Sequence, residues 1–227
     1  MVNKKISVVV CTKNEEKYIG QCLKHLVMED VPCEIIVVDA RSTDNTLKIA
    51  RKYADKIVFD HGGGISDARN VGWKNASSEI VAYCDCDSIP PKDWTRRILQ
   101  EIKGLYCVSG PIISYDGSIS MKIKFFLWGS LFPRVMSKLG YHSVWGANMA
   151  FRKSILKKYP FRFRFLEDYD MGVRLRKTFK VRFCSSLKLP VSSRRFKEGF
   201  GRICIKYYIR EWLGRKTRRS STTGYFK

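Results

Sequence analysis

Two carboxylates, Asp85 and Asp87, stand on either side of Cys86, directly after the apolar run Ile80-Val81-Ala82-Tyr83. An i, i+2 acid pair leaving the carboxyl end of a strand offers hard oxygen ligands to Mg2+ or Mn2+. Such ions usually keep one or two protein ligands and take the rest from water and phosphate. Surface loops with two acids are common, so the pair gains weight only from its neighbours. Polar residues also close the earlier apolar runs: Thr12 follows Ile6–Cys11 and Asp39 follows Glu34–Val38. A second acidic group, Glu167-Asp168 with Asp170, opens a stretch of helical spacing. Acids there suit a helix dipole in any protein, yet one of them lying across from a metal could take the proton of an attacking hydroxyl.

Placing these groups together requires an open α/β sheet. Apolar runs bounded by turn residues alternate with helical patterns through the first half, which predicts βαβ units and a mainly parallel sheet. The predicted strands are 6–11, 34–38, 56–59 and 79–84. Between them lie predicted helices at 15–28, 43–53 and 65–75, with Ser42 or Thr43 and Ser66 as caps. Ligands of such sheets bind outside the carboxyl ends of the strands, so Thr12, Asp39, Asp85 and Asp87 should share one crevice. Beyond Pro90-Pro91, a helix is expected at 92–103, one strand at 105–114, an apolar and basic helix at 120–139 and a strand at 145–151. A helix at 168–178, a short strand at 180–184 and an amphipathic helix at 196–213 complete the reading.

The 227 residues suffice for one large domain with a real core, and 44 % hydrophobic content excludes a largely disordered chain. With 43 Lys and Arg against 21 Asp and Glu, the formal net charge of +22 points to anionic partners. Residues 188–227 hold twelve Lys and Arg against Glu198 and Glu211. Aromatic and basic faces alternate on the predicted helix 196–213, which suits a helix lying on an anionic membrane surface. None of the eight cysteines forms a C-x-x-C pair, so a reducing, cytoplasmic compartment is expected, peripheral to the membrane's cytoplasmic face. Met1–Lys5 leads straight into an apolar run, and no secretory signal is expected. The apolar stretch 125–132 is too short to span a bilayer but, with the tail, suggests a membrane-proximal enzyme.

Six segments in order resemble the inverting nucleotide-sugar glycosyltransferases of family 2, which have the GT-A fold. They are ISVVVCTKNEEKYIGQCLKHL (6–26), EIIVVDARSTDNT (34–46), GGGISDARNVGWKN (62–75), IVAYCDCDSIPPKDW (80–94), WGANMAFRK (145–153) and FLEDYDMGVRL (165–175). Together they cover roughly residues 6–195. The resemblance implies a Rossmann-like, mainly parallel sheet flanked by helices. It also implies a catalytic domain at 1–195, with a donor half to about residue 90 and an acceptor half beyond it, before the basic amphipathic helical tail 196–227. It implies transfer of a sugar from a UDP- or GDP-sugar to the hydroxyl of a glycan or lipid-linked acceptor, with Mn2+ or Mg2+ as cofactor.

Residue by residue, the resemblance implies that Thr12 and Asp39 touch the base and that Arg69 helps hold the nucleotide. Asp85 lies near ribose or metal, Asp87 is the direct metal ligand, and Asp168 is the catalytic base, with Glu167 and Asp170 as rivals. Trp145 and Asn148 would line the acceptor side, an indole face against sugar C–H groups and an amide for hydroxyls. Arg194 and Arg195 fall where some relatives carry an arginine on the diphosphate, a task that suits a planar fork. Ala40-Arg41 departs from the family's usual turn and leaves the donor base open. Two rival classes were weighed. Nucleic-acid binding suits the charge but does not account for ordered acids at strand ends, and no nucleic acid is expected. A nucleotidyltransferase would place a Gly-rich loop after the first strand, where Cys11-Thr12-Lys13-Asn14-Glu15 has no glycine.

Overall fold

The computed structural model describes residues 4–138, 144–163, 167–175 and 178–194. Its first half runs β1 (Ile6–Thr12), α1 (Ile19–Val27), β2 (Glu34–Asp39), α2 (Thr46–Ala50), β3 (Lys56–Phe59), α3 (Ile65–Asn75) and β4 (Ile80–Asp85). The strands pair in parallel in the order β3-β2-β1-β4. Both faces of the sheet are covered, which is why β1, β2 and β4 read as continuous apolar runs rather than alternating ones. Val8 and Val10 pack with Ile19, Cys22, Leu23 and Leu26 of α1 in one core, while Val9 packs with Ala68 and Val71 of α3 in the other.

The second half runs α4 (Trp94–Glu101), β5 (Cys107–Ser109), β6 (Ile112–Ser114), α5 (Ile119–Phe126), a π turn (Leu127–Leu131), α6 (Phe132–Lys138) and β7 (Asn148–Arg152). It continues through α7 (Lys153–Lys158), α8 (Glu167–Leu175), β8 (Val181–Phe183) and β9 (Leu189–Val191). The large sheet extends to β3-β2-β1-β4-β7-β5-β8, with β7 antiparallel to β4 and β5. A separate parallel pair, β6–β9, stands beside it.

Several expectations need correction. The caps expected at Ser42 or Thr43 and at Ser66 are instead Asn45 and Gly64, neither with a side-chain cap bond. The single strand expected at 105–114 is two strands in different sheets, because Gly110-Pro111 interrupts it and proline has no N–H for a ladder. The chain at 13–18 is mostly loop, so α1 starts at Ile19 rather than at Glu15. The short elements α7 and β9 were not anticipated; six and three residues are too few to show a periodicity. The π turn falls where Pro133 withholds an N–H from the carbonyl four residues earlier, a common cause of such a widening. The expected helix 196–213 and the division at residue 195 concern residues outside those described. Cys11, Cys22, Cys33, Cys84, Cys86, Cys107 and Cys184 are free thiols.

Glu34 ties the amino ends of the strands together. Its carboxylate accepts from Ser7 Oγ at 2.5 Å, Ser77 N at 2.7 Å and Ser77 Oγ at 2.8 Å, and pairs with Lys56 at 2.8 Å. Burial would push this carboxyl up, but the bonds from Lys56, Ser7 and Ser77 outweigh it and hold its pKa at about 2. A depressed folded-state pKa contributes stability above the unfolded value and loses it as pH falls through the folded one. Stability is therefore expected to drop between about pH 5 and pH 2, and Glu34→Gln to flatten that limb, read from urea midpoints across the range.

Candidate active site

The parallel register puts Thr12 beside Asp39 and Cys11 beside Asp85. Chain order reverses between β1 and β4, so their carboxyl ends form the crevice in which open α/β sheets bind ligands. The four strand-end residues expected to converge do so. Cys86, between the two acids, is buried in the core and anchors the turn. Burial pushes the Cys11 thiol up to about 12, against the pull of Arg69, so it stays neutral.

Two loops latch together on one side of this crevice. Asn14, held at φ 53°, receives Thr43 N on its side-chain oxygen at 2.8 Å, and its own N–H donates to Ser42 Oγ at 2.8 Å. Glu15 N donates to Thr46 Oγ1 at 2.7 Å and Glu16 N to Asp44 Oδ2 at 3.2 Å. Asp44 also accepts from Thr46 N and Oγ1, so it braces the turn. Asp39 is buried and accepts from Ser42 N at 2.8 Å and Ser42 Oγ at 2.5 Å. Arg41 is exposed and held at φ 57°, a left-handed conformation that costs a residue with a Cβ about 1–2 kcal/mol.

Arg194 crosses from the end of β9 to the acids. Its Nε donates to Asp87 Oδ2 at 2.8 Å, a second nitrogen meets Glu15 Oε1 at 2.6 Å, and its guanidinium lies 4.2 Å from the Tyr18 ring centroid. Burial weakens the charged form of Arg194, but Glu15 and Asp87 overcome it and its pKa rises. The sequence reading singled out Arg194 and missed Glu15 and Tyr18. Their only signal was a position just beyond β1, and nothing in that position names a partner 179 residues away. Arg195 lies outside the described residues.

A second arginine joins the halves of the domain. Arg69, on α3, pairs with Glu167 at the start of α8, and both are buried. Gly146 leaves room for it, since a Cβ there would overlap the guanidinium. Asp168 and Asp85 also raise the Arg69 pKa after Glu167, against the cost of burial, so donor-strand and α8 acids surround one cation. Burial pushes the Glu167 carboxyl up to about 7, against the pull of Arg69. Its oxygen nevertheless faces the guanidinium, so its geometry is that of a brace. Asp170 is taken by Arg174 at 2.6 Å. Asp168 is only partly buried and accepts from Gly146 N and Tyr169 N, each at 2.8 Å.

Asn148 departs from expectation. It is 1 % exposed; its oxygen accepts from Trp94 Nε1 at 3.1 Å, and its amide donates to Pro111 O at 3.1 Å and Leu187 O at 2.6 Å. These bonds use its polar atoms to join β7 to the loops of the small sheet, leaving none for an acceptor. Trp145 is half-buried, and its Nε1 has no hydrogen-bond partner among the described residues; Thr12 Oγ1, Ser88 Oγ and Ser193 Oγ are likewise buried without one there. Buried polar atoms are rarely left so; Thr12 pairs with Asp39 across β1 and β2, Ser88 and Ser193 adjoin Asp87 and Arg194 in the chain, and Trp145 adjoins Gly146, whose N–H holds Asp168. Such a donor set fits a polyoxyanion. Asp87 with Asp85 supplies hard oxygens for a divalent cation, and no cluster of three ligating side chains occurs among the described residues, so such an ion would draw further ligands from its substrate.

The sequence profile described as glycosyl transferase family 2 matches residues 7–160. The chain belongs to this family. Poly(ribitol-phosphate) beta-N-acetylglucosaminyltransferase TarS of Staphylococcus aureus is 40 % identical over 98 residues, 39 % of this chain and 17 % of TarS. Glycosyltransferase AglE of Haloferax volcanii is 32 % identical over 108 residues, 44 % of this chain and 36 % of AglE. The crystal structure of S. aureus TarS 1-349 superposes with a TM-score of 0.64 at 25 % identity, covering 83 % of this chain and 60 % of that one. Mannosyltransferase PcManGT from Pyrobaculum calidifontis, solved with GDP-Man and Mn2+, shares the fold at TM-score 0.68 and 20 % identity, over 84 % of this chain and 58 % of that one. The mainly parallel sheet flanked by helices is thus the GT-A architecture of this family.

The cleft beside Gly146 yields a direct check. Gly146→Ala forces a Cβ against the Arg69 guanidinium, and overpacking of this kind costs about 1–3 kcal/mol. The urea unfolding midpoint is expected to fall accordingly; an unchanged midpoint would show that Arg69 is not confined there.

Proposed function

We propose that the chain transfers a sugar from a nucleoside-diphosphate sugar to an acceptor hydroxyl, with inversion at the anomeric carbon and dependence on a divalent metal. One observation carries this reading: of the three acids opening α8, two are spent on Arg69 and Arg174, while the partly buried Asp168 is oriented by backbone amides. Thr12 and Asp39 at the switch point support a nucleotide end of the crevice, and Asp85 and Asp87 support a diphosphate end.

In this reading Asp168 takes the acceptor hydroxyl's proton as the acceptor oxygen bonds to the anomeric carbon. The bond from that carbon to the diphosphate breaks on the opposite face, and the electron pair leaves with the nucleoside diphosphate. Asp87 with Asp85 would hold Mn2+ or Mg2+, which when bound would offset the negative charge of the leaving diphosphate. Arg194, now shared between Asp87 and Glu15, has the fork to accompany those phosphate oxygens, and Arg195 is a second candidate. Arg69 keeps Glu167 in place and so fixes the start of α8. Trp145 offers its indole to the acceptor.

TarS has been solved with UDP-GlcNAc and PcManGT with GDP-Man, which supports a UDP- or GDP-sugar as donor. The acceptor is a glycan or lipid-linked, with the basic tail 196–227 as a contact to an anionic membrane surface on its cytoplasmic side. The catalytic domain is 1–195, with its donor half ending near residue 90. Among the described residues no helix is long and apolar enough to cross a membrane.

Ligand binding to the native state raises apparent stability. A panel of UDP- and GDP-sugars with Mn2+ is therefore expected to raise the thermal midpoint, and Asp87→Asn to abolish the metal-dependent part of the rise. Asp168→Asn should keep that rise but lose about 10²–10⁴-fold in donor turnover with acceptor. No stabilisation by any donor would overturn the proposal, and full turnover by Asp168→Asn would remove the base.

A further inference from the structure

Helices α5 and α6 with the π turn between them form one continuous rod over residues 119–138. Phe125, Gly129 and Pro133, four residues apart, are buried on one side. Gly129 is pressed to β6 so closely that a Cβ would lie 2.7 Å from Ile112 O, which fixes the rod's orientation. Ile119, Ile123, Phe126, Leu127, Leu131 and Val135 form the other side and are between 41 % and 79 % exposed. Residues spaced by four drift slowly around an α-helix; the wider π turn rotates the later ones back, so the apolar row continues as a ridge. Scattered apolar residues on a surface are ordinary, but a contiguous ridge of six marks an interaction site.

We propose that this ridge docks the protein onto an anionic lipid surface. The charge around it favours lipid over protein. Lys122, Lys124, Arg134 and Lys138 are exposed on the same rod, and from Gly117 to Leu166 the sequence has ten Lys and Arg and no Asp or Glu. A symmetric pairing of two copies through this face would bring those like charges together. A bilayer with anionic headgroups accepts both the apolar ridge and its basic margins.

The ridge is rigidly joined to the site. β6, beneath Gly129, pairs with β9, and Asp116, between β6 and α5, accepts from Ser192 Oγ and Ser193 N, each at 2.7 Å. Ser192 N donates to Asp87 O at 3.1 Å, and Arg194 follows two residues later. A membrane under the ridge would thus lie on the same small-sheet scaffold as the metal-side carboxylate. Only this consequence, a lipid-anchored acceptor delivered at the bilayer surface, rests on the proposed transferase reading; docking itself does not.

The test is co-sedimentation of the full chain with phosphatidylcholine vesicles, with and without phosphatidylglycerol, in the absence of donor and metal. The wild type should sediment with the anionic vesicles, and Phe126→Glu/Leu127→Glu should weaken that binding more than tenfold with an unchanged thermal midpoint. If that variant unfolds, Ile119→Glu/Ile123→Glu on the first turns should give the same loss. Absence of wild-type binding overturns the inference. Equal binding by the folded variants does so too and moves any anchor elsewhere, including to the basic tail. A wild-type dimer that the variants split, without vesicle binding, would make the ridge an interface between copies. Donor stabilisation measured on the same samples reports separately on the transferase reading.

Discussion

The buried pair Arg69–Glu167 is the constraint on which the arrangement of the site depends. It links α3, the helix that follows β3, to α8, the helix that carries Asp168. Each ion loses several kcal/mol of hydration on burial, and the pair recovers this only with good geometry and further charges nearby. Here Asp168 and Asp85 add to the field on Arg69, and the Phe161 ring lies 5.7 Å from its guanidinium carbon. Removing either partner would strand the other, at a cost of about 3–5 kcal/mol. The pair holds α8 against the sheet, and Gly146 both makes room for Arg69 and donates its N–H to Asp168.

A second ion cluster does for the metal-side acids what Arg69 does for α8. Asp87 is buried in the turn after β4, and Arg194 is shared between it and Glu15. A cation arriving with a diphosphate would compete with the guanidinium for the same carboxylate. The two can coexist only if Arg194 turns to the phosphate oxygens, which its fork suits. Tyr18, stacked on Arg194, and the Asp116 clamp on Ser192 and Ser193 set the limits of that movement.

Much of this was legible in the sequence because it depends on local chemistry. The apolar runs of β1, β2 and β4 and the helical spacing of α3 fix the open sheet, and its parallel register carries Thr12, Asp39 and Asp85 to one edge. Segments whose meaning depends on distant partners were not legible. Asn148 looks like a sugar-binding amide, yet Trp94, Pro111 and Leu187, each distant in the chain, consume it. Glu167 and Asp168 are adjacent and chemically alike; only the position of Arg69, 98 residues before Glu167, marks Glu167 as the brace and leaves Asp168 as the proposed base. The split at Gly110-Pro111 had a local signal, proline inside a strand, which the apolar pattern masked.

Asp87 and Asp168 are proposed to face one donor-binding crevice at the β1–β4 switch point, the first on its metal side and the second on its acceptor side. The most direct measurement is a crystal structure with Mn2+ and a nucleoside diphosphate sugar, using the anomalous signal of manganese to locate the ion. The ion is expected on the Asp87 carboxylate, with Arg194 released from it, the base near Thr12 and Asp39, and Asp168 on the far side of the anomeric carbon. Manganese elsewhere, or a sugar with Asp168 and the diphosphate on the same face, would contradict it.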